Sequence, residues 1–143
     1  MMLALLLSLV IGAGRVAAPV TLPIEVITVY HPVPEQTDDT PLVTADGTRI
    51  EGKQRIAAVS QELLWYNGGP VRYGDYIWVE VDMAELAGLW RVHDTMWEGV
   101  DSYVDLLVES HIEECWITER GQETRPGHGC HLGLKVYHIG GLR

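Results

Sequence analysis

Asp94 and Asp105 lie eleven positions apart, in His93-Asp94-Thr95-Met96 and Tyr103-Val104-Asp105-Leu106-Leu107. Each carboxyl group sits in or beside a β-type apolar run, where an acidic side chain is costly unless it is paired or put to use. Two carboxyl groups that share a site push one of them toward the protonated form, the arrangement from which an acid/base catalyst is built. The competing reading is that each carboxylate accepts backbone amides at a strand crossover and does no chemistry. His93 adjoins Asp94 but faces the other way if the strand stays regular, and Asp101 between the pair reads as a solvated turn residue.

Other side chains suit a ligand. Five tryptophans serve a chain with no phenylalanine. Trp78 and Trp90 lie inside strand patterns and read as core, whereas Trp65 and Trp97 lie beside loops. Trp97 and Tyr30 would line a groove suited to sugar rings, which stack on aromatic faces. Thr44 and Asp46 could bind substrate there, although turn-making also explains them.

The elements that must position these groups read as all-β. Six strands are expected, over Glu25–Tyr30, Arg55–Ser60, Tyr76–Val81, Leu89–His93, Val104–Val108 and Leu132–Ile139, from β-branched runs between turn signals. Loops or turns are expected at His31–Asp39, Thr44–Thr48, Asn67–Pro70 and Gly121–Gly129, with short helical turns in Asp82–Gly88 and Glu109–Glu114. Several short strands between turns point to a small barrel or sandwich rather than a parallel βαβ sheet.

The chain has 143 residues, 47% of them hydrophobic, which is one domain with a real core. Its net charge of −10, with ten scattered basic residues, argues against nucleic acid. Residues 1–18 read as a signal peptide: an apolar run to Gly14, then Arg15 and the small residues Val16-Ala17-Ala18. A retained anchor or a buried helix is the rival reading, and an uncleaved segment would be the only route to a membrane. Residues 19–143 then form the single domain, exported to the periplasm or the cell exterior. Cys115 and Cys130 are expected to form a disulfide in that compartment, worth about 3 kcal/mol in the chain-entropy model. A metal site at His128, Cys130 and His131 is the weaker rival, since it lacks a paired CxxC signature. No metal or other cofactor is expected, and the protein is expected to be a monomer.

Thr44-Ala45-Asp46-Gly47, Ile56-Ala57-Ala58-Val59-Ser60, Tyr73-Gly74-Asp75, His93-Asp94-Thr95 and Val104-Asp105-Leu106 occur in an order that resembles the three-aspartate domain. That family comprises the double-psi β-barrels of membrane-bound lytic transglycosylase A and the stationary-phase survival proteins. Rare lipoprotein A, barwin and the expansins belong to the wider superfamily. The resemblance spans Val26 to Ile139 and implies a small six-stranded double-psi β-barrel. It further implies a peptidoglycan glycan strand as partner, cut without water to leave a 1,6-anhydro ring. By position Asp105 is the implied acid/base and Asp94 its partner. Where the family carries its third aspartate this chain has Ser60, with Glu62 two residues on, and Met96-Trp97-Glu98-Gly99 replaces a Gly-Gly segment. Those departures fit the alternative of a non-catalytic barrel that binds cell-wall glycan or a protein partner.

Overall fold

A computed structural model describes residues 18–30, 40, 42–52, 54–81, 83–108, 116–118, 121–123 and 135–141. The expectations for the signal segment, the cysteines and the His128–His131 cluster lie outside these residues. The described residues are all-β. Nine strands form one sheet: β1 (Val20–Thr21), β2 (Val26–Tyr30), β3 (Ile56–Val59), β4 (Tyr76–Glu80), β5 (Gly88–Thr95), β6 (Tyr103–Leu107), β7 (Trp116–Thr118), β8 (Gly121–Glu123) and β9 (Lys135–Gly140). The six strands expected from the sequence are β2, β3, β4, β5, β6 and β9. The other three are two- and three-residue additions, and β8 occupies the start of a segment expected to be loop.

The sheet order is β1-β9-β4-β5-β3-β6-β2-β7-β8, and no ladder joins its two ends among the described residues. Its centre combines both strand senses. β3 and β6 pair antiparallel, while β3 pairs parallel with β5 and β6 pairs parallel with β2. The four strands β5-β3-β6-β2 therefore have an approximate two-fold arrangement about the β3/β6 ladder. β6 separates β2 from β3 in the sheet, and β3 separates β5 from β6. Both connections are therefore crossovers rather than hairpins, and they carry the Thr44–Thr48 turn and the Trp97 loop.

Side-chain alternation splits the centre of the sheet into two apolar faces. Ile27, Val29, Ala57, Val59, Val92, Val104 and Leu106 face the main core, with Ile77, Val79, Trp90 and Val136. Tyr30, Ile56, Ala58 and Leu107 form a smaller cluster on the opposite face, against Ile50 and Met96. β3 is consequently buried along its whole length, as expected for a strand covered on both sides. Trp90 is core, as read from the sequence, and its indole N–H donates to the Leu86 carbonyl (2.8 Å). The Arg55 guanidinium lies 4.2 Å from the Trp90 ring centroid and donates to the carbonyls of Glu85, Leu86, Ala87 and Leu89. That fan of hydrogen bonds closes the Met83–Ala87 turn over the core.

Candidate functional site

The smaller face is where the two aspartates meet, and a one-residue irregularity puts one of them there. Along β3 and β5, Ala57 pairs with Val92 but Ala58 pairs with Asp94, so His93 is an extra residue on β5. Val92 and Asp94 are two apart, and in a regular strand both would face the main core. The bulge at His93 shifts the alternation by one. Val92 stays buried in the core, and Asp94 turns to the face of Ala58 and Tyr30. Asp105 reaches the same face by regular alternation, because it pairs with Ala58 from the other side and with Thr28 on β2.

Asp94, Ala58, Asp105 and Thr28 thus form a row across four neighbouring strands. The two aspartate Cα atoms are two strand spacings apart, about 10 Å, and Ala58 stands between them in the row. Tyr30 lies against both. Its hydroxyl donates to Asp94 Oδ2 (3.2 Å). Burial, then the negative charges of Asp94 and Asp105, hold the phenol well above its ordinary range, so it stays a donor. Asp94 Oδ1 also accepts the amide hydrogens of Ala45 (2.9 Å) and Thr95 (3.0 Å). A carboxyl group that receives three donors is used as an acceptor, the role of the ionised form. Tyr30 is itself buried, so it serves this face by its hydroxyl rather than by an open ring.

The Thr44–Thr48 turn brings Ala45 to Asp94. Thr44 Oγ1 donates to Asp46 Oδ1 (2.8 Å), which also accepts the Thr48 amide (3.0 Å). Asp46 Oδ2 takes a short hydrogen bond from His93 Nδ1 (2.6 Å). The residue extruded by the bulge is thus the residue that grips the turn. Thr44 and Asp46 spend these atoms inside the turn and act on the site through Ala45. Burial pushes the Asp46 carboxyl up, but hydrogen bonds from Thr48, His93 and Thr44 outweigh it and leave it below the usual range. A depressed folded-state pKa gives stability that is present above the unfolded value and lost as pH falls through the folded one. The gap in melting temperature between wild type and Asp46→Asn is therefore expected to be full near neutral pH. It should narrow as pH falls below the ordinary carboxylate range, about 4; a gap independent of pH would contradict this role.

The remaining expected residues are placed as follows. Ser60 is fully buried; its hydroxyl donates to the Tyr103 carbonyl (3.1 Å) and accepts the Tyr103 amide (2.7 Å). It staples the end of β3 to the start of β6 and takes no place in the aspartate row. Glu62 accepts the Ser102 amide (2.6 Å) and steadies a residue with φ of 63°. It does not replace a third carboxylate in the row. Trp97 is 75% exposed on the loop after β5.

Beyond Tyr73 lies an open pocket of about 370 Å3, lined by Leu64, Trp65, Tyr66, Val71, Arg72 and Tyr73. Burial and the Tyr66 hydroxyl push the Tyr73 phenol up, with smaller contributions from the charges of Asp94 and Asp46. Sequence reading missed Thr28, Ala58, Tyr66, Arg72 and Tyr73, and it set His93 aside. For His93 the available signal was a histidine directly before the best carboxylate candidate. Among the described residues no cluster of three metal-ligating side chains occurs. No family model matches the chain, and neither a curated protein nor a solved structure matches it.

Proposed function

We propose that this protein is an exported, peptidoglycan-active member of the double-psi β-barrel class that cuts glycan strands in the manner of a lytic transglycosylase. The observation that carries the reading is the shared face: a bulge on β5 turns Asp94 toward Asp105, with Ala58 between them and the Tyr30 hydroxyl on Asp94. Two parallel pairs about one antiparallel ladder are consistent with the barrel.

In the proposed reaction the Asp105 carboxylic acid gives its proton to the glycosidic oxygen as the bond from C1 to that oxygen breaks. Asp94, kept as an acceptor by Tyr30, Ala45 and Thr95, supplies the negative charge that favours an oxocarbenium-like transition state. The sugar's own C6 hydroxyl then attacks C1, and the Asp105 carboxylate takes the hydroxyl proton. The anhydro ring forms, Asp105 is again protonated, and no water is consumed.

Ala58 makes this testable on geometry alone. Ala58→Leu puts a bulky side chain between the two acids, where overpacking costs about 1–3 kcal/mol. Misplacing a reacting group by about 1 Å can cost about 100-fold in rate. Wild type is expected to release soluble muropeptides from purified sacculi, and the folded Ala58→Leu variant about 100-fold less. Release by the variant at the wild-type rate, or none by wild type, contradicts the reading.

A non-catalytic glycan-binding barrel is the second reading, and Ser60 favours it. The position expected to carry a third carboxylate is committed to the Tyr103 backbone. Sacculus binding without product release would select this alternative.

A further inference from the structure

The pocket lined by Leu64, Trp65, Tyr66, Val71, Arg72 and Tyr73 is built from unlike parts. Trp65 and Tyr66 are 58% and 61% exposed, high values for side chains that lose so much by facing water. The Arg72 guanidinium lies 4.1 Å from the Trp65 ring centroid. It has no carboxylate partner among the described residues, in a chain with twenty acidic residues. The Tyr66 and Tyr73 hydroxyls meet at 3.2 Å, with the two rings tilted 44° and 6.0 Å apart. Leu64 and Val71 form the apolar floor.

The backbone fixes this arrangement. Trp65 N–H donates to the Val71 carbonyl and Val71 N–H to that of Leu63. The Asn67–Pro70 turn between them folds back so that Trp65 and Arg72 stack. Arg72 is further held by its own amide, which donates to Asp75 Oδ2 (2.9 Å), an oxygen that also contacts His138 Nε2 (2.8 Å). The guanidinium is thereby presented at a fixed point beside an aromatic face.

From these parts we infer that the pocket is a subsite for a sugar ring that bears a carboxylate, the ring lying on the Trp65 and Tyr66 surface and its carboxylate on Arg72. An aromatic face suits the C–H face of a pyranose. Guanidinium recognises carboxylate through paired N–H donors. The tyrosine hydroxyl pair offers a donor and an acceptor to ring hydroxyls. Its volume falls within the range of small-molecule sites, about 300–1,000 Å3. This inference rests on the glycan reading given above and adds to it the chemistry of one recognised unit.

The test is titration of the protein with three probes, followed by the Trp65 indole N–H resonance. N-acetylmuramic acid differs from N-acetylglucosamine only by its 3-O-lactyl ether, which carries the carboxylate, and N-acetyl-dialanine carries a carboxylate with no ring. N-acetylmuramic acid is expected to bind roughly tenfold more tightly than N-acetylglucosamine, the effect of one charged hydrogen-bonded contact. Arg72→Gln should erase that preference and leave the weak binding of the neutral sugar. Equal affinity for the two sugars, a preference that survives Arg72→Gln, or equal binding of the dipeptide overturns the subsite. Muropeptide release without the preference would sink the subsite alone. The preference without any release would sink the cleavage reading alone.

Discussion

Gly69→Ala is expected to destabilise the protein by about 3 kcal/mol or more, the upper range for overpacking a tight site. A Cβ at position 69 would lie deep inside the contact radius of the Leu63 backbone carbonyl group and press on the Glu62 carbonyl. No side chain can give way there, because the obstacle is main chain. The same main chain carries the hydrogen bonds that close the turn: Leu64 accepts the Gly69 amide, and Leu63 accepts that of Val71. Neighbouring Gly68 supplies the internal control. It has φ of 90° but open space around its Cα, so Gly68→Ala costs only backbone strain, about 1 kcal/mol. Denaturant unfolding of the two variants should separate them clearly. Equal losses would mean that the turn is not packed as described.

Asp105→Asn is expected to lower muropeptide release by about 100- to 10,000-fold, the range for removing a general acid/base. The amide is nearly isosteric, and Asp105 lies at the edge of the smaller apolar cluster rather than in the main core. Stability should therefore change little, and a melting curve close to wild type would confine the effect to chemistry. Asp94→Asn is expected to act differently. It puts an NH2 group where Oδ2 accepts the Tyr30 hydroxyl, and leaves a neutral amide oxygen to accept the Ala45 and Thr95 amides. It should lower both stability and release. A matching pair of phenotypes, both purely kinetic or both purely structural, would remove the distinction drawn between the two aspartates.

Much of the fold was legible because the six main strands carry β-branched, aromatic or aliphatic residues between turn residues. Val26-Ile27-Thr28-Val29-Tyr30 and Tyr76-Ile77-Trp78-Val79-Glu80 carry their own signal. β1, β7 and β8 do not, since two or three residues hold no period; their strand state comes from pairing with β9, with β2 and with each other. The identity of the acidic pair was also legible, because a carboxylate beside an apolar run is chemically conspicuous. Its placement was not. Regular alternation predicts that His93 and Asp94 face opposite ways and is silent on which way, whereas the bulge is a property of register against Ala57 and Ala58, more than thirty residues earlier.

The same limit hid the partners of these groups. Asp46 and His93 are 47 residues apart, and Tyr30 and Asp94 are 64 apart; only the crossovers bring them together. Ser60 shows the converse. Its hydroxyl pairs with the backbone of Tyr103, a role that a sequence comparison with an aspartate at that position does not suggest.

The measurement that tests the central claim most directly is the chemical identity of the glycan ends released from purified peptidoglycan. If Asp105 first protonates the glycosidic oxygen and then accepts the C6 hydroxyl proton, mass spectrometry of the wild-type digest will show 1,6-anhydro ends and no new reducing ends. Reducing ends in their place would mean that water, not the sugar, is the nucleophile. Intact strands after full incubation would mean that the aspartate row does not cut glycan at all.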